Sequence, residues 1–219
     1  NGNLYWVNGE AKVWAVNAES GAPVSPFMDE NGIPTLALGA FNAISSANLY
    51  KVPGGPDLMV VGTAMPNRLW AIDLETATVA WSYAAADINT YVTGFATASP
   101  AVHQGKGIVL TTVLADADLP SNSINVIALA LDAETGEALW SQSLGQGHIP
   151  VGFVSPTPLI DGQNAFIHNP LTRTVSALNI KSGKIDWQIQ VSAGTGKFSW
   201  APGVVGRNQL IVPVGEYLY

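Results

Sequence analysis

The chain has 219 residues, 47% of them hydrophobic, which is enough for one large domain with a substantial core. Only 11% are charged, against about 25% in an ordinary soluble domain, so Ser, Thr, Asn, Gln and Gly must cover the surface. The net charge of −7 argues against a nucleic-acid partner, and the absence of cysteine excludes disulfides, thiolate metal sites and thiol catalysis within these residues.

The first element in chain order is a hairpin, Leu4–Val7 with Lys12–Val16. It leads into Ala15-Val16-Asn17-Ala18-Glu19-Ser20-Gly21 and then into Pro23 and Pro26. That phrase returns as Ala71-Ile72-Asp73-Leu74-Glu75-Thr76-Ala77 closing on Trp81, with Ala77 in place of Gly. Ala130–Trp140, containing Asp132 and Gly136, is the clearest copy, and Ala177–Trp187, containing Asn179 and Gly183, is another. Each copy predicts a hairpin. The Asp or Asn bonds forward to backbone N–H groups, the Gly supplies positive φ except where Ala77 replaces it, and the outgoing strand carries a Trp for packing between neighbouring sheets in every copy but the first, which lacks it.

A second phrase precedes the first. Ser99-Pro100-Ala101-Val102, Ser155-Pro156-Thr157-Pro158-Leu159 and Ala201-Pro202-Gly203-Val204-Val205 each open a short strand that turns into a second one. Proline is tolerated at the start of a strand. Each unit is thus four antiparallel strands, A to D. The Asp/Asn positions 17, 73, 132 and 179 are 56, 59 and 47 residues apart, which suits four strands plus loops.

The fold expected is all-β: a β-propeller of four-stranded antiparallel blades, about four of them present. Residues 1–219 form one partial propeller domain. Its parts are a half-blade at 1–28, blades at about 45–84, 98–142 and 153–190, and a half-blade at 199–219. The first hairpin reads as strands B and C, and Glu216–Tyr219 reads as strand C. The expectation is therefore a fragment, a partly seen chain or half of an assembly, completed by further blades of the same protein or by a homo-oligomer.

The Ala-x-Asp-x-x-Thr-Gly-x-x-x-Trp phrase resembles the tryptophan-docking repeat of pyrroloquinoline-quinone (PQQ) type propellers, over nearly the whole chain. The segment from Ala15 to Gly32 is similar to a stretch of the quinoprotein dehydrogenases. The resemblance implies a ring of seven or eight blades and three classes of function: a PQQ-type oxidoreductase acting on a small molecule, which leads; a cofactor-free enzyme of the tetrathionate hydrolase type; and a non-catalytic scaffold for protein partners. It also implies PQQ with calcium, although the cysteine pair and calcium ligands of the dehydrogenases are not seen in these residues. A periplasmic or extracellular location follows, and sparse charge suits an acidic one, because few carboxylates are then lost on acidification. No transmembrane span is expected, since no run of 18 apolar residues occurs.

In a propeller the D-to-A and B-to-C loops share the face around the central channel. The D-to-A loops, 84–98, 143–154 and 192–199, offer Asp87 and His148 as catalytic candidates and Lys197, with Trp200 behind it, for binding substrate. The B-to-C loops offer Met65–Arg68, then Asp116 and Asp118, then His168 and Asn169 with Arg173. Arg68 and Arg173 are expected in similar places, where two guanidinium groups would hold an oxyanion. Asp116 and Asp118 are too few for a calcium loop. The three histidines lack zinc spacing, so no metal site is expected.

Overall fold

The computed structural model describes residues 2–85, 88, 94–118, 123–148, 156–191, 202–207, 209–214 and 217–218. Three consecutive four-stranded antiparallel sheets form its centre. The first contains β3 (Asn48–Tyr50), β4 (Leu58–Ala64), β5 (Asn67–Asp73) and β6 (Thr78–Tyr83). The next contains β7 (Ala101–His103), β8 (Ile108–Asp118), β9 (Ser123–Asp132) and β10 (Ala138–His148). The third contains β11 (Leu159–Asp161), β12 (Asn164–Asn169), β13 (Thr174–Asn179) and β14 (Ile185–Gln190). Before them lies the pair β1 (Asn3–Val7) and β2 (Val13–Asn17). After them come β15 (Val204–Gly206) with β16 (Gln209–Ile211), and β17 (Pro213–Val214) with β18 (Tyr217–Leu218).

Strand order within each full sheet is chain order. The short first strands β3, β7, β11 and β15 neighbour one another in series. This is propeller geometry: inner strands line an axis and sheets fan outward from it. The core lies between sheets. One cluster joins Val13, Ala15 and Phe27 to Met59, Val61 and Ile72; the next joins Val60 and Trp81 to Val109 and Leu131; another joins Leu110 and Ala128 to Ala165 and Leu178.

The repeated phrase builds the seams. Asp132 Oδ1 accepts the N–H groups of Glu134 and Thr135 at 2.9 Å each. Asp73 and Asn179 close their turns in the same way. Trp81 then lies over the following sheet's turn and donates its indole N–H to the Ala133 carbonyl at 3.0 Å. Trp140 repeats this on Ile180 at 3.0 Å. Glycine is required beneath each ring. A Cβ on Gly136 would sit 2.6 Å from Trp81, and one on Gly183 would sit 2.5 Å from Trp140. Trp187 holds the matching register position opposite Ala177, is 41% exposed, and packs against Phe166 with ring centroids 6.0 Å apart.

The β1–β2 unit departs from the pattern in an informative way. Its outer strand is present in two pieces. Asn17 and Ala15 pair with Ala22 and Val24, while Val13 and Ala11 pair with Leu36 and Leu38. Residues 25–35 form an excursion between the pieces and bury Phe27 in the first seam. The backbone pairing of this unit therefore runs on to residue 38, beyond the expected limit of 28. Val24 stands opposite Ala15, where the other blades carry Trp, so no indole reaches the next turn. That turn holds Ala77 at φ 54° instead of glycine, with its methyl packed into the first seam.

Candidate functional site

The B-to-C turn between β4 and β5 is held from below. Thr63 is fully buried. It donates its hydroxyl to the Pro66 carbonyl at 2.7 Å and accepts the Trp70 indole N–H at 2.9 Å. This fixes Arg68, which donates from Nη1 to Ser82 Oγ at 3.0 Å and sits 5.9 Å from the centre of the Trp70 ring. Arg68 makes no ion pair with a described carboxylate; the ion pair among the described residues is Lys12–Glu10. Phe41 and Met65 pair through their backbones beside this turn, and both are exposed, as is Ile44.

Arg173 is exposed, has φ 57°, and accepts the Val191 N–H on its carbonyl at 2.9 Å. Register corrects its expected equivalence to Arg68. Ala71 and Ala177 both face the seam Trp of their own sheets. Counting back from them, Arg68 matches Thr174, and Arg173 matches Asn67. One residue of offset separates them: Arg68 lies within β5, whereas Arg173 belongs to the turn that precedes β13.

Three other placements differ from expectation. Asp116 and Asp118 belong to strand β8, not to a loop, with Asp116 opposite Ile124 and Asp118 opposite Ser123. His148 ends strand β10, also opposite Ser123. The expected loops are absorbed because β8, β9 and β10 extend as a three-stranded arm, whose irregular registers let pairing continue past the length of its neighbours. The arm leans on the next blade, where Asn169 Nδ2 donates to the carbonyls of Leu144 and Gly145 at 3.1 and 3.2 Å. The backbones of Asp118 and His148 thus both pair with Ser123. Asp87, Lys197 and Trp200 lie outside the described residues.

His168 and Asn169 likewise close strand β12 and are not loop residues. His168 occupies a seam position. Counted from the same alanines, it matches Thr112 and Gly62. Thr112 donates its hydroxyl to the Pro156 carbonyl of the next blade, and Gly62 packs so tightly on the Phe95 carbonyl that a Cβ would lie 2.0 Å away. Burial lowers the His168 pKa to about 4, and its Nε2 is buried without a partner. Nothing in the sequence pattern marked this role, because a polar residue near a turn looks alike in strand and loop.

These side chains do not assemble a PQQ–calcium site. Among the described residues no group of three or more His, Asp or Glu could hold a metal ion, and the chain has no cysteine. The described residues do not fit the group.

Comparison with known proteins agrees with the architecture. The tetrathionate hydrolase of Acidithiobacillus ferrooxidans is 24% identical over 223 residues, covering 100% of this chain and 41% of that protein. That of Acidianus ambivalens is 30% identical over 191 residues, covering 80% of this chain and 34% of its own length. This chain therefore spans well under half of the curated relatives it matches. The quinohemoprotein alcohol dehydrogenase of Comamonas testosteroni shares the fold with a TM-score of 0.55 at 16% identity, over 86% of this chain and 33% of that one. The family described as outer membrane protein assembly factor BamB matches residues 9–207. With its tryptophan-docked seams, the chain belongs to this PQQ-like β-propeller family.

Proposed function

We propose that this chain forms part of an exported propeller hydrolase acting on a sulfur oxyanion of the tetrathionate class. The carrying observation is Arg68: a guanidinium one residue into β5 from the B-to-C turn, braced by Ser82 and Trp70 and free of any ion pair with a described carboxylate. A doubly anionic substrate with an apolar sulfur chain suits that cation beside the exposed Phe41 and Met65. The names of the two relatives support the same substrate class, and an acidic periplasmic or extracellular setting fits a chain with few charges. A protein-binding scaffold is the second reading, favoured by the exposed Phe41, Ile44 and Met65.

Thiosulfate release from tetrathionate, with binding followed by calorimetry, tests the hydrolase reading. Arg68→Gln should weaken binding by about tenfold or more, the scale of one charge-assisted hydrogen bond. Unchanged affinity in Arg68→Gln removes Arg68 from the site. A bound-quinone spectrum on titration with PQQ and calcium would restore the dehydrogenase reading.

A further inference from the structure

At the end of the blades opposite the B-to-C turns, the seam between the second and third full sheets opens into a cleft of about 480 Å³, a volume in the range of ligand sites. Its apolar lining is Ile108 at the start of β8 and Leu139 on β10, the latter 48% exposed. Its polar lining is Lys106, from the turn between β7 and β8, Asp132 at the end of β9, and Lys181, from the turn after β13 of the next sheet. Neither lysine forms an ion pair with a described carboxylate. Asp132 is committed to its own turn, where Oδ1 accepts the N–H groups of Glu134 and Thr135 and the Thr135 hydroxyl.

One copy of the repeated turn sets the charge of this cleft. Glu19, Glu75, Glu134 and Lys181 hold the same place in four turns. Each lies two residues past the turn's Asp or Asn and donates its N–H to that side chain, at 3.0, 2.7, 2.9 and 3.1 Å. The lysine is the exception, and it is the one that lines the cleft. A second reversal accompanies it. The carbonyls of Glu137 and Lys184 accept the N–H groups of Asp132 and Asn179 at 2.8 and 2.9 Å, so these two also correspond. The turn that carries Asp132, Glu134 and Glu137 in one sheet therefore carries Asn179, Lys181 and Lys184 in the next. The backbone bonds are the same in both, so forming the turn does not call for the change of charge. At the preceding seam the matching carboxylate has a partner, since Tyr50 donates its hydroxyl to Glu134 Oε1 at 3.1 Å. Nor does overall composition account for the cluster, in a chain with nine Lys and Arg and a net charge of −7.

We propose that this cleft docks an extended acidic segment of a protein partner, its carboxylates at Lys106 and Lys181 and an apolar side chain between them on Leu139. Charge complementarity selects an acidic occupant. The strength of the contacts selects a chain over a free ion: an exposed ammonium contributes about fivefold in affinity at most, so two of them hold a small anion weakly. A segment adds apolar burial on the exposed Leu139. It also adds backbone hydrogen bonds, because Leu139 lies on β10, the edge strand of its sheet, and an edge accepts a further strand. The site is at the other end of the blades from the turn beside Arg68 and involves neither that residue nor hydrolysis.

The test is fluorescence anisotropy of rhodamine-labelled peptides on the intact protein, with folding of each variant checked by urea unfolding. Three sequences serve as probes: Glu-Leu-Glu-Val-Glu, its Gln counterpart and its Lys counterpart. The acidic peptide should bind saturably, about tenfold more tightly than the Gln peptide, and should weaken as salt rises. Lys181→Glu and Lys106→Glu should each weaken it by about tenfold and strengthen the Lys peptide. Leu139→Ser should weaken the acidic and Gln peptides alike, by about threefold. Lys51→Glu, an equal change of net charge on another blade, should leave every affinity as in the wild type. Loss of binding in Lys51→Glu as large as in Lys181→Glu would reduce the effect to net charge and overturn the site. So would an acidic peptide that shows no saturable binding, or one that glutarate displaces at equal concentration, since a free dianion would then suffice.

Discussion

Gly136→Ala probes the seam most directly. The added methyl meets two costs. At φ 75° a side chain costs about 1 kcal/mol. Its Cβ would also lie 2.6 Å from Cδ2 and Cε3 of Trp81, where carbon atoms prefer about 3.5–4 Å. The indole must move by roughly 1 Å, which strains a packed seam by about 1–3 kcal/mol. It also loosens the 3.0 Å bond to the Ala133 carbonyl, worth about 1 kcal/mol. The total is about 3–5 kcal/mol, a large share of the roughly 5–15 kcal/mol that folded domains possess. Urea unfolding should show a midpoint lower by about 1–2 M. In a Trp81→Ala background the ring is gone, and the same substitution should cost only the backbone share of about 1 kcal/mol. Equal costs in both backgrounds would refute the claim that the ring, and not the turn alone, demands glycine.

Two further outcomes follow from the same seams. Thr112→Val should lose about 1–2 kcal/mol in urea unfolding, because the Pro156 carbonyl is left without its donor, whereas Thr112→Ser should be close to wild type. His168 makes the chain acid-sensitive. Its folded pKa of about 4 lies below the ordinary 6.5, so the unfolded state binds the proton first. Stability is complete above 6.5 and falls as pH drops toward 4, by about 3 kcal/mol at most. His168→Gln should flatten that segment of the stability–pH curve; an unchanged slope would place the acid sensitivity elsewhere. A protein serving a medium more acidic than pH 4 would carry His168 charged, and the glutamine variant would then be the more acid-resistant of the two.

Much of the fold was legible because the repeat is local. Asp132, Gly136 and Trp140 announce a hairpin within eleven residues, and their chemistry does not depend on what lies across the seam. The split outer strand was not legible: residues 36–38 follow an excursion, and only their bonds to Ala11 and Val13 show that they finish the sheet. The arm was missed for a related reason. Gly145 and Gly147 look like loop residues, yet Gly145 sits at φ 103° within a register shift and Gly147 leaves room for Leu171 of the next blade. The site was partly legible by residue type. Arg68 stood out as a basic residue beside a B-to-C turn, but the length of the arm could not be found without register, since a bulge shifts pairing by one residue and leaves no compositional trace.

Val24 and Ala77 show what is inherited together in this architecture. Where one sheet lacks its indole, the following turn is released from glycine and takes a methyl instead. The indole and the glycine it covers belong to different sheets but to one packing unit. A sheet copied or transplanted by itself would bring a ring without its receiving turn and a turn without its ring. Units that can be exchanged in this chain run from the middle of one sheet to the middle of the next, and the boundaries of a viable recombination lie inside the blades, away from the loops that appear to separate them.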